Sequence, residues 1–594
     1  MARRPGGLLV PGGFLRFAAL LVAGTLLLLP RPVRAQIPLF TPSPVSFQGE
    51  ITSTGQLYST TGRDQRQPSS LGNLYVRSNL ELFGINVGLD MLFSSENGSR
   101  FGLSGPAVRQ QLNQIGIAPK WNWGRAYLGS FTDSYSRLTL NGIRLQGAGA
   151  AINPGWLRLG AFMGRSQNAA SGGALNGAFR RTMWGGRIGV GRHSEFGRGG
   201  FFDLVFLRAT DNPSSLPSPD GASVEPGSGS SLPMNPYAVT PQENVVMAAV
   251  NRLPFWGNRL TWHGEVAVSV DSRDRRAPEL SPQTLDRYSS LLRSLVTPRS
   301  STYGDIAYTG RLDLRGVQLP GATPRSPRSL SATVGYRYIG AGYVSLGLAT
   351  LPADQSAANA RVSVRYRTWS ASLLAARQHD NLLDQKLFTT TRNRLGASLD
   401  MRMTPKLITS LRGSFGVIRN DAADEANRMD FTTWMATVSQ TLTLGANGLW
   451  RAVSWSDTYQ QAGDPNPARA ASGLHAHDAA VRLTVGPSRN LTITPSVGAS
   501  FSRLGTAGWV VRSTYALAGY LRGNGGRWSV GAAVTNARLG AGGSLRASLN
   551  AQYRVTAGDR LNIGLRSNHV RGLDPTTGAF SEYVLNVGWT RQIH

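Results

Sequence analysis

The sequence contains no cysteine. That removes disulfides, thiolate metal sites and a lipid-bearing N-terminal cysteine at once. A large chain without disulfides must hold itself together through backbone pairing and packed faces. Lysine is nearly missing as well, present only as Lys120, Lys386 and Lys406. The formal charge of +29 is therefore carried almost wholly by arginine, and is +24 once residues 1–35, with five arginines and no acid, are set aside. These arginines are spread singly along alternating segments and form no clustered patch, which argues against nucleic acid as a partner. Long apolar runs are also lacking. After residue 35 no window approaches the roughly 18 consecutive apolar residues of a membrane helix.

What is present begins with an N-terminal leader. Arg3, Arg4 and Arg16 precede an apolar run from Phe17 to Leu29, and Val33 and Ala35 stand before Gln36. This order reads as a secretory signal peptide over 1–35, cut after Ala35. The apolar run is too short to cross a bilayer as a helix.

Beyond about residue 70 the dominant signal has period two. In "SLRASLNAQYRV" Leu545, Ala547, Leu549, Ala551 and Tyr553 alternate with Arg546, Ser548, Asn550, Gln552 and Arg554. "LTITPSVGASFS" and "RLNIGLRS" repeat the pattern. Such alternation is the mark of strands with one apolar and one polar face. Turns such as "RGNGG", "GAGG" and "TAGD" separate them. Segments of about ten residues match a tilted strand crossing a hydrocarbon layer. Connections alternate in length: long near 572–580, 461–474, 419–429, 379–390, 349–356, 272–303, 210–243 and 165–181, and short between them. Outer-membrane barrels alternate in this way. The alternation falters at 95–122, a long stretch where a short one belongs, and at 540–542, a tight turn where a long one belongs. "SPQTLDRYSSLLRSLV", 281–296, has helical spacing.

A run of soluble β-sandwiches would also bury one face of each strand. Here, though, the second face carries Arg, Asn, Gln and Thr in nearly every strand, and no linker divides the chain into domains of ordinary size. A closed sheet satisfies every backbone group in lipid without leaving an edge. The expected fold is all-β: a single large transmembrane antiparallel barrel of outer-membrane type, roughly 24 strands with 22 to 26 allowed. It spans 74–594, with 36–73 as a periplasmic N-terminal segment or partial plug and both termini periplasmic. The amphipathic C-terminal segment "SEYVLNVGWTRQIH" would close the sheet.

Two stretches carry a resemblance. "GQLYSTTGRDQRQPSSLGNLYVRSNLELFGINVGLDMLFSS" with "IGIAPKWNWGRAYLGSFTDSYSRLTLNGIRLQGAGAAINPGWLRLGAFMGRSQ" is one, and "YRYIGAGYVSLGLATLPAD", 336–354, is the other. Together they cover about a fifth of the chain and resemble large outer-membrane barrel proteins of Bacteroidota and their relatives. The resemblance implies a porin-like barrel in a Gram-negative outer membrane. It brings no settled biochemical activity, so no functional residue is carried over.

Catalytic patterns are weak. In "LHAHDA" His475 and His477 share one strand face beside Asp478, with no third metal ligand apparent. His379-Asp380 in "RQHDN" is a lone dipeptide, and no Gly-x-Ser-x-Gly elbow occurs. No enzyme, cofactor or metal is expected. The polar strand faces are more informative. Arg512, Arg546, Arg554 and Arg566 are candidate lumen-lining residues, whose cations would favour anions. Trp509, Trp528, Tyr583 and Trp589 are candidates for the aromatic girdle at the membrane interfaces. Expected partners are outer-membrane lipid, lipopolysaccharide, the barrel-assembly machinery, and a plug or secretion partner. Three functions stay open: a porin-like channel for solutes with mild anion preference, a partner-plugged transporter or secretion component, and a structural scaffold with binding loops. A receptor with its own folded plug is disfavoured, because the stretch from 36 to 73 is too short to form one.

Overall fold

The computed structural model describes residues 45–95, 113–170, 177–192, 199–216, 239–281, 295–323, 328–445, 448–540, 542–572 and 578–593. The expected signal peptide, residues 36–44, most of the expected helix at 281–296 and much of the 210–243 loop lie outside them.

The described residues form one sheet of 26 strands. In order they are β1 (Ser46–Thr61), β2 (Ser70–Leu82), β3 (Ile85–Ser94), β4 (Gln114–Trp121), β5 (Gly124–Ser134), β6 (Asn141–Ile152), β7 (Leu157–Gln167), β8 (Arg181–Gly191) and β9 (Phe201–Asp211). Next come β10 (Glu243–Phe255), β11 (Leu260–Ser272), β12 (Thr302–Gln318), β13 (Arg328–Ile339), β14 (Gln355–Tyr366), β15 (Trp369–Asp380), β16 (Thr390–Arg402), β17 (Leu407–Asn420) and β18 (Asp430–Thr443). The last are β19 (Trp450–Gly463), β20 (Leu474–Val485), β21 (Leu491–Leu504), β22 (Val510–Gly523), β23 (Trp528–Leu539), β24 (Gly542–Arg554), β25 (Asp559–Arg571) and β26 (Phe580–Ile593). Each pairs antiparallel with its sequence neighbours, and β26 pairs with β1 from Ser581↔Thr61 to Ile593↔Gly49. The sheet thereby closes on itself, as the alternation predicts.

The expected count of 24 rises to 26 because two strands are hard to read. In β1, Gly49, Ser53, Gly55 and Ser59 dilute the apolar face that Phe47, Ile51 and Leu57 begin. In β4, Pro119 breaks the pattern, since a proline donates no ladder hydrogen bond. The assignment of 36–73 to an N-terminal extension or plug is corrected accordingly: Ser46–Thr61 is barrel wall, and β2 starts at Ser70. Recovering β4 also repairs the alternation of loop lengths. The stretch 95–122 divides into a long connection, a strand and the tight turn before Gly124. Both described ends of the chain then lie at the short-turn end of the barrel. Only residues 540 and 541 separate β23 from β24, on the side of the long loops.

The ladder assigns every side chain to one of two faces. Starting from Trp589, the outer face runs through Leu561, Tyr553 and Trp528 by direct cross-strand pairing. The other face is inner, because the connections following β5 and β13 meet one another against it.

Removing residues 46–61 would strip both β2 and β26 of a partner along their whole length. A refolded chain lacking them is expected to lose the heat-modifiable migration of a closed barrel in gel electrophoresis. A chain beginning at residue 45 keeps it.

Candidate functional site

The inner wall has two unlike halves. Along β9 and β10, "FFDLVFLRA" and "NVVMAAV" are apolar on both faces, which marks strands covered on both sides. The cover consists of two inward-turned segments, 135–140 after β5 and 340–354 after β13. Leu138 and Leu140 are at most 1% exposed, and they pack with Leu145, Phe162, Val205, Leu207 and Val246 of the wall. The segments also hold each other. Tyr343 Oη donates to the Leu138 carbonyl at 2.8 Å, Ser345 Oγ to that of Thr139 at 2.5 Å, and Asn141 N to that of Gly347 at 3.1 Å. Burial raises the Tyr343 pKa, so its hydroxyl stays a donor. Gly347 is required by this approach, since a Cβ there would lie 2.3 Å from the Thr139 carbonyl oxygen.

Polar wall residues fix this double strap. Glu265 accepts from the backbone N–H groups of Leu138 (2.8 Å) and Arg137 (3.2 Å). Asn244 donates to the Val344 carbonyl at 3.0 Å and accepts from Leu346 N at 3.1 Å. Glu265 and Asn244 are each followed directly by apolar residues, Val266-Ala267 and Val245-Val246. The loss of alternation around them is the signal that something covers this wall. The two stretches that carried the family resemblance include the two strap segments, so they meet in space.

Several charges on this half are paired within the wall, although Arg187 and Arg252 of the same face form no ion pair with a described carboxylate. Arg158 and Asp203 form a bidentate pair at 2.7 and 2.8 Å, with side chains 4% and 2% exposed. Arg181–Asp211 (2.7 Å) and Arg311–Asp313 (3.0 Å) continue the pattern.

The opposite half, β14–β25, is different. Its inner face presents exposed Arg361, Arg394, Arg412 and Arg482. Arg512, Arg546, Arg554 and Arg566 belong to the same face and are exposed too. Arg546 Nε donates to Asn568 Oδ1 at 3.3 Å, and Arg554 stands directly opposite Arg560. None of these guanidiniums forms an ion pair with a described carboxylate. The acids on this inner half are Asp380, Asp400 and Asp478, of which Asp400 accepts from Ser410 Oγ at 2.6 Å.

The aromatic candidates fall elsewhere. Trp528, Tyr583 and Trp589 are on the outer face. Trp528 and Trp589 lie toward the short-turn end and Tyr583 toward the long-loop end, where it meets His569 edge-on. Trp509 stands in the connection before β22, exposed, beneath the Arg503 guanidinium. The histidine motifs do not converge. His475 and His477 are outer and Asp478 is inner, while His477 Nε2 lies 2.8 Å from Asp457 Oδ1 of β19. His379 and Asp380 likewise point to opposite faces. Among the described residues no group of three or more His, Asp or Glu is placed to hold a metal ion.

No family model matches the chain, and no curated protein does. Solved structures similar to it include the translocation pore of the P pilus usher PapC, at 9% identity over 92% of this chain and 99% of that one, with a TM-score of 0.34. OccAB2 of Acinetobacter baumannii has 10% identity over 60% and 93%, with a TM-score of 0.28. An anion-selective porin from Comamonas acidovorans has 10% identity over 48% and 96%, with a TM-score of 0.23.

Two predictions follow from the strap and its wall. Asp203→Ala would strip the buried Arg158 guanidinium of both bonds of its bidentate pair, a loss of about 3–5 kcal/mol. Urea unfolding from lipid vesicles should show it, with Arg158→Met in the same background recovering part of the loss. Asp354 ties the strap to the next long loop. Burial alone would raise its pKa, but the Lys386 ammonium and the N–H groups of Leu382 and Asn381 outweigh it and hold the carboxyl below the usual range. This tie is therefore fully present above the ordinary Asp pKa of about 3.9 and lost as pH falls through the depressed folded value. Protease protection of 340–354 should fade in that acid window and be weakened at neutral pH by Lys386→Met.

Proposed function

We propose that this protein is a porin-like channel of a bacterial outer membrane that passes small solutes with a preference for anions. The observation that carries the reading is the contrast between the two inner half-walls. One is sealed by the strap and holds several buried ion pairs, whereas the other exposes arginines without carboxylate partners among the described residues. A barrel of this strand number has a lumen too wide for side chains alone to fill. With one side filled by 135–140 and 340–354, the aqueous path runs along the arginine-bearing side. Guanidinium groups there raise the local concentration of anions, and low-dielectric walls strengthen the effect. Arg512, Arg546, Arg554 and Arg566 are the lumen-lining residues in this reading. Trp509, Trp528, Tyr583 and Trp589 serve the interfacial girdles, with the long loops outside the cell and the short turns in the periplasm.

Planar-bilayer recording tests this directly. The purified barrel should give steady conductance with a reversal potential favouring chloride over potassium. Arg546→Glu combined with Arg566→Glu should move the permeability ratio toward or past unity while leaving the barrel heat-modifiable. A wild-type barrel that is folded and electrically silent would overturn the reading.

A further inference from the structure

The outer face of the barrel is indented on one side. Across β5–β11 a cavity of about 2230 Å³ opens outward, lined by outer-face residues such as Leu128, Met163, Trp184, Ile188, Leu204 and Met247. A regular barrel wall is convex there. This wall draws inward where glycines of the inner face let neighbouring backbones close up. At Gly147 a Cβ would lie 2.1 Å from the Met163 carbonyl oxygen, so no side chain fits. The groove is more than twice the upper end of the usual volume for a drug-sized ligand, about 1,000 Å³. Hydrogen-bonding groups gather at its long-loop end. Gln146 and Arg165 face each other across β6 and β7, and one residue step beyond Gln146 on the outer face lies Arg144. Arg165 donates to Gln146, while Arg144 is exposed and has no ion pair with a described carboxylate.

We infer that this groove binds a phosphorylated lipid with several acyl chains, the chains in the indentation and the phosphate on Arg144 and Arg165. The inference rests on the reading of the chain as a membrane barrel. In a bilayer an apolar groove of this size fills with hydrocarbon, and because lipid tails are as apolar as its lining, selection among lipids comes from the fit of the chains and from the charged end. A guanidinium pair at one end fixes which way the lipid enters, through charge-assisted hydrogen bonds to phosphate. Arg208, on the neighbouring part of the outer face, is already held by Glu243 at 2.7 Å and is not part of the site.

Native mass spectrometry of the full-length barrel, released from phosphatidylcholine nanodiscs doped with lipid A, tests the assignment. Wild type should retain lipid A, and retain it better than phosphatidylglycerol, which has one phosphate and two chains. Arg144→Gln with Arg165→Gln should weaken retention about tenfold. Ala148→Trp with Ala161→Trp, which fills the groove from its outer face, should do the same. Ala532→Trp with Arg538→Gln, on the outer face of β23, should change nothing. Equal losses on both walls, no loss in the arginine pair, or equal retention of phosphatidylglycerol would each overturn the proposal, the bound lipid then being an ordinary annular one. If the filled variant fails to show heat-modifiable migration, the arginine pair alone decides. Wild type without such migration would remove the barrel reading itself, and the groove with it.

Discussion

Backbone closure is the constraint on which everything else depends. In hydrocarbon an unpaired N–H or C=O has no water to turn to, so a spanning sheet cannot keep an edge. The pairing of β1 with β26 supplies the missing ladder, and it explains why both are long although their sequences differ in quality. β26 is a clear amphipathic strand, with Tyr583, Leu585, Val587 and Trp589 on one face. β1 is poor in apolar residues and owes its place to the need for a partner on each side. Closure also fixes the sorting of faces, because one register carried around 26 strands allows no strand to turn over.

With closure fixed, a wide lumen needs some means of limiting its cross-section. The chain does so with its own connections, stitched to the wall by a small set of buried polar contacts. Glu265 satisfies two strap N–H groups, and Asn244 meets both a carbonyl and an N–H. Such contacts are costly to lose because each would leave a buried group unsatisfied. They give the strap one position rather than many. The consequence is electrostatic as well as steric, since the half-wall beneath it buries several ion pairs while the free half-wall keeps its arginines exposed.

Legibility followed the physics of each element. Strands such as β24 and β25, wet on one face and apolar on the other, could be read from alternation alone, and with them the inner placement of Arg546, Arg554 and Arg566. β4 was not legible, because Pro119 interrupts its pattern. The strap was visible only indirectly, as the loss of alternation in β9 and β10. Nothing in the spacing of Tyr343 and Leu138, some two hundred residues apart, announces their hydrogen bond. The histidine pairs show the reverse case: His475, His477 and Asp478 are adjacent in sequence, yet the pleat sends the acid to the other face.

The amino-acid sequence by itself determined the class of the molecule. Period-two alternation is a local property of each segment, and the choice between a strand and a helix is settled within a few residues. Which half of the barrel is filled, which arginines keep their charge unpaired, and where the outer wall folds inward were decided by the tertiary structure. Those outcomes depend on contacts between segments far apart in the chain, and only closure of the sheet brings such segments to the same side of the wall.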